Sequence, residues 1–334
     1  MNFATLKGLT IPEGVVTQIA DASGRVLWKL ETSKPVILQV EKITSDTYAG
    51  ETAYTGEQFI LLDIYPKTNG TVKVTYGGLT KTITDTSGAE EPNAQKVFFG
   101  TFNGVSDSVA TPVSGELIIE GGYSNFAAGG YVKNSKVTVP EYCGCITGVV
   151  EWGNVSSIGN QAFRSCTSLA LTSLPSGITS IGDYAFDECT NVNIANINAT
   201  NIGKSAFTDT LTAYRDPLQI AEGVVSIGEF AFQTGGSSGL GTFPKNIIIA
   251  STVTFIGKSA FYCGDYSSDT GRIVTLLATT PPTLGTNDGG SSYRNFDNPE
   301  ALTKIVVPKG CGSAYKANDS WIAAGYINKI VEAS

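Results

Sequence analysis

Apolar residues recur in one six-residue pattern through the second half of the chain. The pattern Ile-Gly-x-x-Ala-Phe starts at five isoleucines: Ile158, Ile181, Ile202, Ile227 and Ile256. Successive copies lie 21 to 29 residues apart, and a pattern repeated at that step is typical of a solenoid, in which short units stack on one another. We call the pattern the hexamer and number its positions from the isoleucine.

A second apolar stretch precedes the hexamers. Leu174, Ile220 and Ile249 each lie seven residues before the isoleucine of their hexamer. This offset predicts a coil with two layers: a short β-strand, and a turn formed by the hexamer with Ile, Ala and Phe inward. Glycine at position 2 predicts a tight bend or a positive φ. Because one coil cannot bury its own apolar face, we expect the coils to stack, with the hexamer phenylalanines in one buried column.

Three cysteines keep the phase of the repeat. Cys166 and Cys189 lie eight residues after their isoleucine, and Cys263 lies seven after. Thiols in phase with a repeat are predicted to be small buried hydrophobes, and we expect all six cysteines of the chain to be reduced. A disulfide between neighbouring coils and a metal site are the alternatives.

The first half of the chain shows strand patterns and no helical period. Candidate strands cover residues 36–43, 59–65, 71–76, 79–84, 96–102 and 116–120, with hairpin turns at Asn69-Gly70 and Gly77-Gly78. Their number and length predict an immunoglobulin-like β-sandwich over residues 32–138, with 121–130 as a loop or last edge. Residues 1–31 hold two β-prone runs around residues 21–24 and predict a separate hairpin.

Residues 139–334 resemble the BspA-type leucine-rich repeats of bacterial surface and secreted proteins. The five hexamers carry the resemblance, together with the ending 302–308 (Leu-Thr-Lys-Ile-Val-Val-Pro), Tyr315 and Trp321. The family implies a curved right-handed solenoid and a binding or adhesion role, without one particular ligand. Residues 149–152 are expected to form the first strand, residues 235–241, 263–271 and 281–298 polar loops, and 320–332 a capping helix or, alternatively, a final strand.

The N-terminal segment carries a second, shorter resemblance. Residues 16–28 (Val-Thr-Gln-Ile-Ala-Asp-Ala-Ser-Gly-Arg-Val-Leu-Trp) are similar to N-terminal segments of phage and prophage tail-associated proteins. The resemblance implies that residues 1–31 contact virion proteins. The alternative is an ordinary edge hairpin.

The composition of the chain argues against several classes of function. The chain has 334 residues, no histidine and a formal net charge of -8, which argues against nucleic-acid binding and against histidine-based catalysis or zinc binding. The sequence contains no run of 18 apolar residues, so no membrane span is predicted. The N-terminus lacks a signal-peptide pattern. We expect no catalytic residues, no metal and no cofactor. The lack of a signal-peptide pattern is expected for a protein of a virion or prophage. The alternative location is the bacterial cell surface.

The candidate binding residues lie on the strand layer and in the loops. Residues that alternate with the inward apolar ones should form an outward ribbon that contains Ser173, Gln219, Ile248 and Val306. Tyr262, Tyr266 and Tyr293 fall in the predicted inserts, where exposed aromatic rings commonly contact protein or sugar. The alternative is that these rings pack over the solenoid edge.

The sequence therefore predicts a mainly β protein that binds rather than catalyses. The favoured function is recognition of a host surface, through a cell-surface protein or glycan, by a virion-associated or prophage-encoded protein. The alternatives are a bacterial surface adhesin and a glycan-cleaving enzyme, which would need two carboxylates about 5–10 Å apart in a cleft.

Overall fold

The computed structural model describes residues 18–20, 26–29, 35–41, 43–44, 58–66, 70–84, 95–102, 105–109, 112–121, 123–128, 145–153, 155–194, 196–210, 216–234, 243–263, 271–285, 295–296 and 302–334. The chain divides into two compact units, Met1–Lys34 and Pro35–Ser334. In the first unit, β1 (Gln18–Ala20) pairs antiparallel with β2 (Val26–Lys29), which confirms the predicted hairpin.

The second unit begins with two antiparallel sheets. Their strands are β3 (Val36–Val40), β4 (Ile43–Thr44), β5 (Gln58–Pro66), β6 (Thr71–Tyr76), β7 (Leu79–Thr84), β8 (Gln95–Phe102), β9 (Val105–Ser106), β10 (Gly115–Gly121), β11 (Tyr123–Ala128) and β12 (Ile146–Glu151). One sheet has the order β12-β3-β10-β6-β7, and the other has the order β11-β5-β8-β9 with β4 on β5. Five of the six predicted strands are confirmed, and the one predicted over 36–43 ends at Val40, because Ile43 belongs to β4 in the other sheet; β4 and β9 were not foreseen.

The strand order is not the immunoglobulin one. In immunoglobulin domains the last two strands are neighbours in one sheet. Here β10 pairs with β3 and β6, whereas β11 pairs with β5 in the other sheet. The two sheets meet through inward residues such as Tyr76 and Phe99, whose ring centroids are 5.6 Å apart. A pair of antiparallel sheets is thus confirmed, and the immunoglobulin-like topology is not.

The strand expected to open the solenoid belongs to the first of these sheets. Residues 149–151 lie in β12, which runs antiparallel to β3. The other side of β12 meets the repeats, since the Ala170 amide donates to the Thr147 carbonyl at 2.9 Å. The buried side chains of both parts form one contiguous core. The β12 strand therefore joins the sheets to the solenoid, and the predicted domain division at residue 138 stays a prediction.

From residue 157 the chain winds into a β-solenoid with two parallel sheets of six strands. We call one the hexamer sheet: β13 (Ser157–Ile158), β14 (Ser180–Ile181), β16 (Asn201–Ile202), β18 (Ser226–Ile227), β20 (Phe255–Ile256) and β22 (Thr283–Leu284). We call the other the long-strand sheet: β15 (Asn196–Ile197), β17 (Leu218–Ile220), β19 (Asn246–Ile249), β21 (Arg272–Leu276), β23 (Leu302–Val307) and β24 (Ile330–Glu332). The predicted solenoid is confirmed.

The hexamer phenylalanines form the predicted column. Phe163, Phe186, Phe207, Phe232 and Phe261 are fully buried, and neighbouring rings stack with centroids 5.1–5.3 Å apart. Trp152 covers the first ring edge-on at 5.9 Å. Backbone bonds follow the same column, because the amide of each of the first four phenylalanines donates to the position-5 alanine of the next coil at 2.7–2.8 Å.

A sixth hexamer lies inside a segment expected to be a loop. Leu284 pairs with Ile256, and the Phe261 amide donates to the Asn295 carbonyl at 2.8 Å. Asn295 thus takes the place of the position-5 alanine, and Phe296 extends the ring stack at 5.8 Å from Phe261. The loop prediction for 281–298 is wrong at these positions, because the intervening residues separate the two halves of the pattern.

Glycine at position 2 serves close approach, not the expected positive φ. A Cβ on Gly203 would lie 2.6 Å from the Gly182 carbonyl carbon, and one on Gly257 would lie 2.5 Å from the Glu229 nitrogen. The left-handed residue is instead position 4, where Gln161, Tyr184, Ser205, Phe230 and Ser259 have φ between 51° and 58°. This conformation turns the chain across the end of each coil.

Two short helices and a strand close the C-terminal end. Helices α1 (Gly312–Lys316) and α2 (Asp319–Ala324) place Trp321 5.9 Å from Phe296 at the end of the ring stack. The chain then adds β24 to the long-strand sheet. The residues predicted as a helix or, alternatively, a strand thus form both. Neither helix in the described part of the chain has the length or the apolar character to cross a membrane.

Candidate functional site

The outward ribbon of the long-strand sheet is a straight, in-register row. Strand pairing aligns one residue per coil: Asn196, Gln219, Ile248, Thr275, Val306 and Val331. Three predicted residues, Gln219, Ile248 and Val306, therefore lie in one line across the strands. Their inward neighbours, such as Ile220, Ile249 and Val307, are buried.

The character of the ribbon changes along its length. Asn196 and Gln219 are exposed and polar, while Ile248 and Val306 are half-buried and Val331 is 42% exposed. A parallel row on the same face passes through Asn246, Ile273 and Lys304. The ribbon thus offers amide groups at one end and β-branched side chains at the other, as a shallow surface without a catalytic group in the row.

Of the three predicted loop tyrosines, the structure describes Tyr262. Tyr262 is only 5% exposed and belongs to the packed end of its hexamer turn, so the expectation of an exposed contact ring is wrong for this residue. Tyr266 and Tyr293 lie outside the described residues. Ser173 is exposed but lies outside the strands, because its coil pairs with the next one only through an isolated bridge between Leu171 and Val192 among the described residues.

Sequence reasoning missed three ribbon residues: Asn196, Thr275 and Val331. Strand β21 carries the alternation Arg-Ile-Val-Thr-Leu that would have shown Thr275 as outward. Its coil has no unbroken hexamer to set the offset, since Leu284 and Phe296 are separated by an insert. Val331 lies where a helix was preferred.

One cluster of carboxylates lies outside the ribbon, in the hexamer turns. Asp187 is 6% exposed, and its Oδ2 accepts from Arg164 Nε at 2.9 Å. Burial raises the pKa of Asp187 to about 6; the Arg164 charge opposes this rise, and the neighbouring Glu188 and Asp209 add to it. Glu188 in turn accepts from the Ser165 hydroxyl at 2.8 Å. The Asp187 carboxylate is thus held inside an ion pair between coils.

The cysteines in phase with the repeat are buried as predicted. Cys166, Cys189 and Cys263 are buried and outside any disulfide, as is Cys145, and Cys311 is half-buried; Cys143 lies outside the described residues. The Cys189 thiol donates to the Phe163 carbonyl at 2.8 Å, and Thr210 makes the matching bond to Phe186 at 2.5 Å in the next coil. Burial raises the pKa of the Cys189 thiol. Among the described residues, no group of three His, Cys, Asp or Glu side chains could hold a metal ion.

Comparisons with known proteins show which repeats these residues resemble. Residues 141–265 match the BspA type leucine-rich repeat region, in six copies. Among solved structures, a leucine-rich repeat protein from Bacteroides ovatus ATCC 8483 is similar over 50% of this chain and 70% of its own, with 17% identity and a TM-score of 0.21. No curated protein matches the chain.

Proposed function

From a BspA-type repeat region with an in-register outward row, we propose that the protein is a non-catalytic binding protein that recognises a bacterial cell surface. The single observation that carries the proposal is the row from Asn196 to Val331, which repeats one contact position per coil. A solenoid presents an extended, shallow surface rather than a deep pocket. The partner is therefore extended or macromolecular: a surface protein or a wall glycan.

We further propose that the protein acts within a phage virion or is encoded by a prophage. The support is the segment 16–28 and its hairpin, which forms a compact unit of its own. A small two-stranded unit gains stability by docking on another protein, and in this proposal that partner is a virion protein. The alternative is a bacterial surface adhesin that uses the same ribbon.

A glycan-cleaving enzyme is the weaker alternative. It would need an acid and a base that both reach substrate. Asp187 and Glu188 are adjacent carboxylates, and the pKa of Asp187 is raised to about 6. However, Asp187 is buried and bound to Arg164, which favours a structural role. Loss of product release from wall polysaccharides in Asp187→Asn would support the enzyme instead.

The test is binding of the full chain to intact bacterial cells and to their wall fractions. Val306→Glu and Val331→Glu place a charge in the apolar end of the ribbon, and we expect each to weaken binding by about tenfold. The control is Ile322→Glu, because Ile322 is 47% exposed on α2 and lies outside the ribbon. Equal binding by all three variants would contradict the ribbon as the contact surface. A chain that binds no cells would contradict the function.

A further inference from the structure

The outward face of the hexamer sheet has a chemistry different from that of the ribbon. Strand pairing aligns six residues, one per coil: Ser157, Ser180, Asn201, Ser226, Phe255 and Thr283. The residues just before them are serine, threonine, valine or proline. We call these two rows the neutral strip. It contains no charged side chain, although 16% of the chain is charged.

A charged row borders the neutral strip. Three residues beyond the aligned row, at position 3 of the hexamer, Asp183, Lys204, Glu229 and Lys258 alternate in sign. The Lys204 and Glu229 side chains are 3.8 Å apart, so this neighbouring row balances its own charge. A charged ligand would find no field of one sign on this side of the solenoid. The strip therefore suits a neutral partner.

The strip offers hydrogen-bonding groups and one exposed ring. Ser226 Oγ donates to Asn201 Oδ1 at 2.8 Å. Phe255 is 38% exposed and is flanked in its row by the short side chains of Ser226 and Thr283. Next to it, Val225 is 39% exposed. Hydroxyl and amide groups around an exposed aromatic ring are the groups that bind a sugar ring, through its hydroxyls and its C–H face.

The spacing of the coils decides between a glycan and a peptide. The strip residues lie on paired parallel strands, which are about 4.7–4.9 Å apart, a spacing comparable to the length of one pyranose unit in an extended β-linked chain. An extended peptide rises about 3.3 Å per residue, so its same-side residues recur about every 6.6 Å. A peptide along the strip would lose register within a few coils, whereas a glycan would keep it.

We propose that the neutral strip binds a neutral, β-linked polysaccharide, which lies along the solenoid axis with one sugar per coil and one ring stacked on Phe255. This surface is separate from the ribbon and goes beyond the cell-surface recognition proposed above. In each coil the strip contributes the outward serine, asparagine or threonine to the sugar hydroxyls. Phe255 fixes the position of the chain along the row.

The experiment is retention of the full chain on insoluble chitin and cellulose, with the anionic polysaccharide alginate as the charged comparison. Phe255→Ser installs the residue type found at this position in three other coils, and we expect it to lower affinity for the neutral polysaccharide by about tenfold. Ser180→Glu, which adds a charge to the strip, should do the same. Leu277→Ser is the matched control, because Leu277 is 45% exposed and lies outside the strip.

Unchanged melting temperatures within about 2 °C would show that the variants fold. The proposal is overturned if neither chitin nor cellulose retains the protein, if alginate retains it equally, or if Phe255→Ser binds as the original chain does. The two proposals can fail separately. If Val306→Glu loses cell binding, Phe255→Ser keeps it, and neither polysaccharide retains the chain, the ribbon function stands and the strip proposal fails.

Discussion

Replacing Gly203 by alanine tests how the coils are held together. The new Cβ would lie 2.6 Å from the Gly182 carbonyl carbon and 2.7 Å from the Asp183 nitrogen. Ordinary contact begins near 3.4 Å, so the two coils must move apart by roughly 0.8 Å. The bonds that cross this gap are Gly203 N to Ile181 O and Lys204 N to Asp183 Oδ1, both 2.8 Å.

The expected cost follows from these contacts. Overpacking costs about 1–3 kcal/mol, and weakening two hydrogen bonds adds about 1 kcal/mol each, so Gly203→Ala should lower the free energy of unfolding by about 3–5 kcal/mol. Gly177 is the control: its φ is +80° and a Cβ there meets nothing within 4 Å, so Gly177→Ala should cost only about 1 kcal/mol of backbone strain. Denaturant unfolding with comparable m-values measures both. If Gly177→Ala costs as much as Gly203→Ala, the close-approach explanation is refuted.

Three further predictions concern buried groups. Cys189→Thr should preserve stability, because Thr210 makes the same bond in the next coil, whereas Cys189→Ala should cost about 1–2 kcal/mol in denaturant unfolding; equal losses would contradict this. The pKa of Asp187 is about 6 in the folded chain against an ordinary value of 3.8, so the stability that protonated Asp187 contributes is present at low pH and is lost as pH rises from about 4 to about 6. Melting curves should therefore show Asp187→Asn gaining stability relative to the original chain over that interval, by up to about 3 kcal/mol, and a constant difference would be evidence against it. Thiol titration should count six groups after unfolding, with Cys311 reacting first in the folded chain because it alone of the described thiols is not buried; fewer than six would indicate disulfides.

The hexamer could be predicted from the sequence because the same residues are buried in every coil. Its Ile, Ala and Phe are inward at each copy, so the pattern survives changes elsewhere. The reason for its glycine was not readable. A sequence shows that a side chain is absent, but backbone crowding and a positive φ both select glycine. Only the position of the neighbouring coil, 2.5–2.8 Å from the missing Cβ of Gly182, Gly203 and Gly285, separates the two causes.

The ribbon was predicted less completely because the two sheets are joined by corners of variable length. Ile220 and Ile249 lie seven residues before their isoleucine, but Ile197 lies five before Ile202 and Leu276 lies eight before Leu284. Strand pairing nevertheless aligns these four residues. The corner tolerates insertions and deletions with little loss of stability, because it runs over the surface. A fixed offset from the hexamer therefore finds some members of the row and misses others.

The sixth coil shows why an interrupted repeat still completes the column. Its two halves, Leu284-Gly285 and Asn295-Phe296, supply the same inward side chains as an unbroken hexamer, except that asparagine replaces the small alanine. Asn295 is buried at this site, and its amide donates to the Gly257 and Gly285 carbonyls at 2.8 and 3.1 Å. Two new hydrogen bonds satisfy the buried amide, and the inserted residues leave the stack in place. The C-terminal Trp321 then packs on Phe296, so the end of the column depends on a coil whose pattern is not continuous in the sequence.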